Sequence, residues 1–296
     1  MTKPSVYLSS SYRNADSITE IIDELKNHGI THIELSGESG PIDDVQTVLR
    51  NYQTSDHISF SIHNYFPPPK ESFILNIASC APQERARGID FVKNSIRLTH
   101  SLGLTLYTIH AGYRTLLALD DNKDQFVPTT RDMAGYDETM RRFAESINEI
   151  CSFARPLGIR IGIENLFPIN ADTNFSIMCT PVEWENMFQS LGHHDNLGML
   201  LDLGHLNLAS NYLRFDKYKA IEGLFAKHAD KIYEIHVSQN DGEKDLHGIL
   251  KKDSWILPLL RQLPVKDKIV TLEIRRQADQ NVFDGYRLLQ EVVYDR

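Results

Sequence analysis

Two kinds of segment alternate along the chain. One is short, rich in branched and aromatic residues, and reads as a strand. Such runs fall at 5–8, 31–35, 58–63, 106–110, 160–164, 198–202, 232–237 and 269–273. The other is longer and repeats apolar residues every three or four positions, the spacing that gathers them on one helix face. These stretches span 17–28, 42–52, 84–102, 138–157, 182–191, 218–228, 255–262 and 283–294. Local chemistry supports the boundaries. Asp16 or Ser17 can cap the first helix, with Glu20 at capping-box distance from Ser17. Thr180-Pro181 followed by Glu183 opens a later one. Gly29, Gly103 and Gly158 stand where helices must stop, just before the next strand.

Strands and helices in strict alternation are the signature of parallel βαβ units. Eight such units close most simply into a (β/α)8 TIM barrel, here one domain over residues 1–296, with a doubly wound open sheet as the other candidate. The Pro67-Pro68-Pro69 run and the polar stretch 120–130 read as long loops after the third and fourth strands.

Composition narrows the class. With 41% hydrophobic and 24% charged residues the chain is an ordinary globular one, not disordered or fibrous. Its net charge of −9 disfavours non-specific binding to nucleic acid or acidic membrane. Cys80, Cys151 and Cys179 are unpaired in spacing and read as buried structural thiols, with no disulfide framework. The opening Met1-Thr2-Lys3-Pro4 carries no apolar secretory core, and no run approaches the roughly 20 apolar residues of a membrane helix. A cytoplasmic location is expected.

Barrels of this kind do their chemistry at the C-terminal ends of the strands. From the third strand to the eighth, each apolar run ends on an ionisable residue. They are His63, His110, Glu164, Asp202 with His205, His236 followed by Asp245 and His247, and Glu273. One such residue needs no explanation, but six strands in succession do. Neutral imidazole and carboxylate are ligands for zinc, manganese, iron or cobalt. Crowded carboxylates without a cation would repel one another, so a metal site at the mouth is expected. His32 and Glu34 on the second strand read as facing solvent or a neighbouring helix, and His193-His194 as surface.

These residues resemble the xylose-isomerase-like barrels, which include endonuclease IV and many sugar or sugar-phosphate isomerases and epimerases. The resemblance runs from about Thr31 to Glu273. Its endonuclease branch implies three zinc ions on His63, His110, Glu164, Asp202, His205, His236, Asp245, His247 and Glu273. The block Asn76-Ile77-Ala78 and the pair Asp245-Leu246-His247 are similar to that branch, whereas Asp202-Leu203-Gly204-His205 and the tri-proline insert depart from it. The isomerase and epimerase branch implies one divalent metal on Glu164, Asp202, His236 and Glu273, with Glu164 and Glu273 also the acid/base pair. The resemblance thus implies one to three divalent ions, zinc foremost.

The first expectation is therefore a metal-dependent isomerase or epimerase of a sugar-like small molecule, with Arg275, Tyr65 and Phe66 contacting substrate. The second is an abasic-DNA phosphodiesterase, and the third a ligand-binding barrel without catalysis. The rim decides the order. Loops 67–70, 114–130 and 239–252 mix Lys70, Arg114, Lys123, Lys244, Lys251 and Lys252 with Glu71, Asp120, Asp121, Asp124, Asp241 and Glu243. DNA binding asks for a predominantly cationic rim.

Overall fold

The computed structural model describes residues 5–119, 126–130, 133–169, 173–277 and 280–295. Eight parallel strands close on themselves in it: β1 (Ser5–Ser9), β2 (His32–Leu35), β3 (Ser59–His63), β4 (Leu106–His110), β7 (Arg160–Glu164), β8 (Leu197–Asp202), β9 (Ile232–Val237) and β10 (Ile269–Leu272), the last pairing with β1. Around them run α1 (Ile18–Asn27), α2 (Val45–Ser55), α3 (Pro82–Ser101), α4 (Tyr136–Ala154), α5 (Pro181–Leu191), α6 (Leu203–Leu213), α7 (Lys217–His228), α8 (Ile256–Gln262) and α9 (Gln280–Tyr294). This is the (β/α)8 TIM barrel that the alternation predicts.

The helices bury the stripes read from the sequence. In α1, Ile18, Ile21, Ile22 and Leu25 are buried, the i, i+3, i+4, i+7 pattern. Each fully buried aliphatic side chain contributes about 1.5–3 kcal/mol. Ser17 caps α1 by accepting from Thr19 N–H. Thr180 and Glu183 form a reciprocal capping box on α5, with Pro181 at its start. Gly29 and Gly103 take φ of +74° and +71°, a left-handed conformation that side chains resist.

Several expectations are corrected. Helix α6 begins directly after β8, where the sequence pattern offers no polar break; Asp202 ends the strand and caps the helix at once, its side chain accepting from His205 N–H. Within the stretch expected as a loop, β5 (Leu117–Leu119) and β6 (Phe126–Pro128) form an antiparallel pair. Asp120, Asp121, Lys123 and Asp124 lie outside the described residues, as does the 1–4 segment. Cys151 and Cys179 are buried, but Cys80 is exposed at the end of the loop before α3. His194 is not a surface residue: it is buried, with Nε2 2.7 Å from Asn148 Oδ1. No helix among the described residues is long and apolar enough to cross a membrane.

Candidate metal centre

Strand register explains why the polar residues converge. Directly opposed residues of neighbouring parallel strands share a face. His110 pairs with Glu164, and Asp202 with His236. Thr271 also pairs with His236, so Glu273, two residues on, returns to the same face. Asn165 pins the next turn, donating from Nδ2 to Asp202 O at 3.0 Å and accepting from Asp202 N–H at 2.8 Å. The loop after β9 folds back through paired hydrogen bonds between Gln239 and Gly248, bringing Asp245 and His247 to the mouth. His247 takes φ of +40°, an unfavourable backbone for a non-glycine residue.

All nine predicted ligand residues meet. Glu164 Oε2 lies 3.3 Å from Nε2 of both His63 and His110, and its Oε1 lies 3.0 Å from His205 Nδ1. Glu273 Oε2 lies 3.1 Å from His236 Nδ1 and 3.2 Å from His247 Nδ1. His247 Nε2 is 3.0 Å from Asp245 Oδ2. Four sets offer ligand atoms within 4.8 Å of one another: Glu164/Asp202/His236/Glu273, His63/His110/Glu164, His205/Asp245/His247 and Glu34/His63/His236.

The donors fit a cation. Both Glu164 oxygens, Asp202 Oδ2, Asp245 Oδ1 and His247 Nδ1 are buried without a hydrogen-bond partner, the nearby ring nitrogens being poorly aligned for one. An unpaired buried carboxylate is expensive, and a divalent ion removes that cost. The set is all imidazole nitrogen and carboxylate oxygen, with no thiolate, which suits zinc, manganese, iron or cobalt.

Burial and charge drive the titrating groups apart. Burial raises the Glu164 carboxyl to about 7 and also lifts Asp202. Burial would lift Glu273 too, but His247 and His236 hold it well below the usual carboxylate range. Burial lowers His63 and His110 far below the ordinary imidazole value, aided by the neighbouring rings. Burial also opposes charge on His205, yet Asp202 and Glu164 override it and raise the ring to about 10. His236 and His247 are raised in the same way by facing carboxylates.

The sequence pattern misses part of this site. Glu34 does not face solvent or a helix: it is buried inside the barrel, its Oε2 2.8 Å from His236 Nε2. Glu234 lies nearby, its carboxyl pushed up to about 8 by burial and by Glu34, and it accepts from Thr271 Oγ1 at 2.5 Å. Thr108 Oγ1 lies 3.0 Å from His63 Nδ1. The available signal was the inward phase of β2, in which Glu34 pairs with Ser61, two residues before His63.

The candidate substrate contacts divide. Arg275 stays at the mouth, its Nε buried without a hydrogen-bond partner and 3.9 Å from Glu38 Oε1. Tyr65 packs on Phe73 and Phe91, and its hydroxyl accepts from Leu75 N–H at 2.6 Å. Phe66 is wholly buried in the core. Tyr65 is thus engaged within its own loop and with α3, and Phe66 within the core.

A closed barrel with a His/carboxylate cluster at its C-terminal mouth defines a class, and comparison places the chain in it: the protein belongs to the xylose isomerase-like TIM barrel family, whose model matches residues 22–294. An uncharacterized protein of Methanocaldococcus jannaschii is 25% identical over 178 residues, 60% of this chain and 57% of that one. The chain thus spans little more than half the length of that relative. Among solved structures, a D-tagatose 3-epimerase-like protein superposes with a TM-score of 0.74 at 20% identity, over 98% of this chain and 97% of the other. The apo 3-keto-D-glucoside 4-epimerase of E. coli gives 0.70 at 12% identity, over 97% and 99%. A Thermus thermophilus protein soaked with ZnCl2 gives 0.61 at 18%, over 99% of each. Likeness at these identities shows the shared fold.

Proposed function

We propose that the chain is a divalent-metal-dependent isomerase or epimerase acting on a sugar or sugar-phosphate-like substrate. One observation carries the reading: Glu164, Asp202, His236 and Glu273, from four strands and their ends, bring ligand atoms within 4.8 Å of one another. A divalent ion held there supplies Lewis-acid polarisation of a substrate carbonyl. The protein supplies the proton chemistry. Glu164 and Glu273, both within reach of the same ion, form the acid/base pair that takes a proton next to the carbonyl and returns it. Arg275, at the mouth beside Glu38, supplies a positive charge suited to a substrate oxygen or phosphate. The names of two structural neighbours, both epimerase-related, support a sugar-like substrate.

A second reading, a zinc phosphodiesterase of the endonuclease IV kind, draws on the two further clusters, His63/His110/Glu164 and His205/Asp245/His247. It ranks below because the rim is mixed. Arg114, one of the rim cations, is engaged with the Ala134 and Asn174 carbonyls. The test is incubation of metal-loaded protein in heavy water with a panel of ketoses and their phosphates, followed by NMR. Exchange next to the carbonyl, lost in Glu164→Gln, is the expected result. No exchange with any sugar, together with cleavage of an abasic duplex lost in that variant, overturns the assignment.

A further inference from the structure

Beneath the four-residue cluster lies a carboxylate to which the proposed reaction gives no task. Glu34 on β2 is 0% exposed, and its Oε2 stands 2.8 Å from Nε2 of His236. The contact crosses the barrel interior, because β1 and β10 separate β2 from β9 in the sheet. Strand pairing therefore does not account for it. His236 is itself 0% exposed, and its other nitrogen, Nδ1, faces the cluster, 3.1 Å from Glu273 Oε2 and 3.9 Å from Asp202 Oδ2. The ring of His63 stands edge-on to it at 5.0 Å.

A neutral imidazole carries its proton on one nitrogen only. Carboxylates stand at hydrogen-bond distance from both nitrogens, Glu34 at 2.8 Å from Nε2 and Glu273 at 3.1 Å from Nδ1. With an ion on the cluster Glu273 serves as a ligand, so the closer Glu34 keeps the proton on Nε2 and the Nδ1 lone pair faces Glu164, Asp202 and Glu273. Metal-binding histidines generally donate their remote N–H to such a partner, which fixes the tautomer and strengthens the ligand. A buried carboxylate is a costly way to supply a hydrogen-bond acceptor that a neutral side chain would also provide. Its Oε1 has no hydrogen-bond partner, so hydrogen bonding alone does not repay its burial. We infer that Glu34 is a positioning residue, holding His236 in the Nε2–H tautomer so that Nδ1 becomes the metal ligand. The inference rests on the metal reading proposed above.

The test measures zinc binding and the histidine tautomer rather than turnover. Wild type, Glu34→Gln and Glu34→Asp are stripped of metal, checked for cooperative melting, and titrated with zinc; long-range proton–nitrogen NMR then reports the His236 ring. The expected result is a protonated Nε2 with a metal-shifted Nδ1 in zinc-loaded wild type. Zinc affinity falls about 10–100-fold in Glu34→Gln, with Glu34→Asp between the two. If neither variant folds, the tautomer in wild type alone decides. Wild-type affinity in Glu34→Gln, or metal on Nε2 with Glu34 as a fellow ligand, overturns the inference while the metal reading stands. Failure of wild type to bind zinc, manganese or cobalt overturns both.

Discussion

Asp202 performs two tasks with its two oxygens, and substitution separates them. Oδ1 accepts the His205 N–H at 2.6 Å and caps α6; Oδ2 has no hydrogen-bond partner and faces the cluster. Asp202→Asn keeps a capping oxygen and removes the charge, whereas Asp202→Ala removes both. Loss of a capping side chain costs about 1 kcal/mol. For 296 residues, an unfolding entropy near 2.1 cal/mol/K per residue amounts to about 0.6 kcal/mol/K, so that loss lowers Tm by about 1.5 °C. A cation present at about 100 times its Kd, bound only by the folded chain, adds about 2.7 kcal/mol, or about 4 °C. Calorimetry with chelator should therefore place Asp202→Ala about 1.5 °C below Asp202→Asn. With zinc, wild type should rise by about 4 °C and neither variant should follow. An Asp202→Asn protein that gains as much from zinc as wild type would refute the assignment of Oδ2 as a ligand.

Two further outcomes follow from the same geometry. In metal-free protein, His205 near 10, the raised His236 and His247, and Glu164 near 7 hold protons at neutral pH that a cation must displace. Because these groups are raised, affinity should climb from pH 6 to 8 and binding at pH 7 should release protons; titration calorimetry in buffers of different ionisation heat measures this, and zero release contradicts it. Thr108→Val strands the buried Nδ1 of His63 and should cost about 1–3 kcal/mol, seen as a fall in Tm that Thr108→Ser avoids; equal melting of Val and wild type counts against the contact.

The barrel was legible because its two periodicities alternate cleanly and glycine or capping residues mark most boundaries. Helix α6 was not, because Leu203-Gly204-His205 follows Asp202 without a loop and one side chain serves as strand end and cap. The nine candidate ligand positions were legible from their place at strand ends or, for Asp245 and His247, in the loop just after one. Their second partners were not: Glu34, Thr108 and Asn165 are ordinary residues in sequence, and only closure of the sheet brings Glu34 to His236, 202 residues away. Tyr65 and Phe66 show the converse, since aromatic residues beside a ligand histidine satisfy a long loop's own packing as readily as a substrate's.

Each role proposed for these residues depends on a bound divalent ion. The most direct measurement is elemental analysis of protein purified without chelator and reloaded with zinc, manganese or cobalt, paired with anomalous diffraction at each metal's edge. The predicted result is at least one divalent ion per chain, in contact with Glu164, Asp202, His236 and Glu273. A chain that takes up none of the three ions, or holds its ion away from those four residues, would contradict the account.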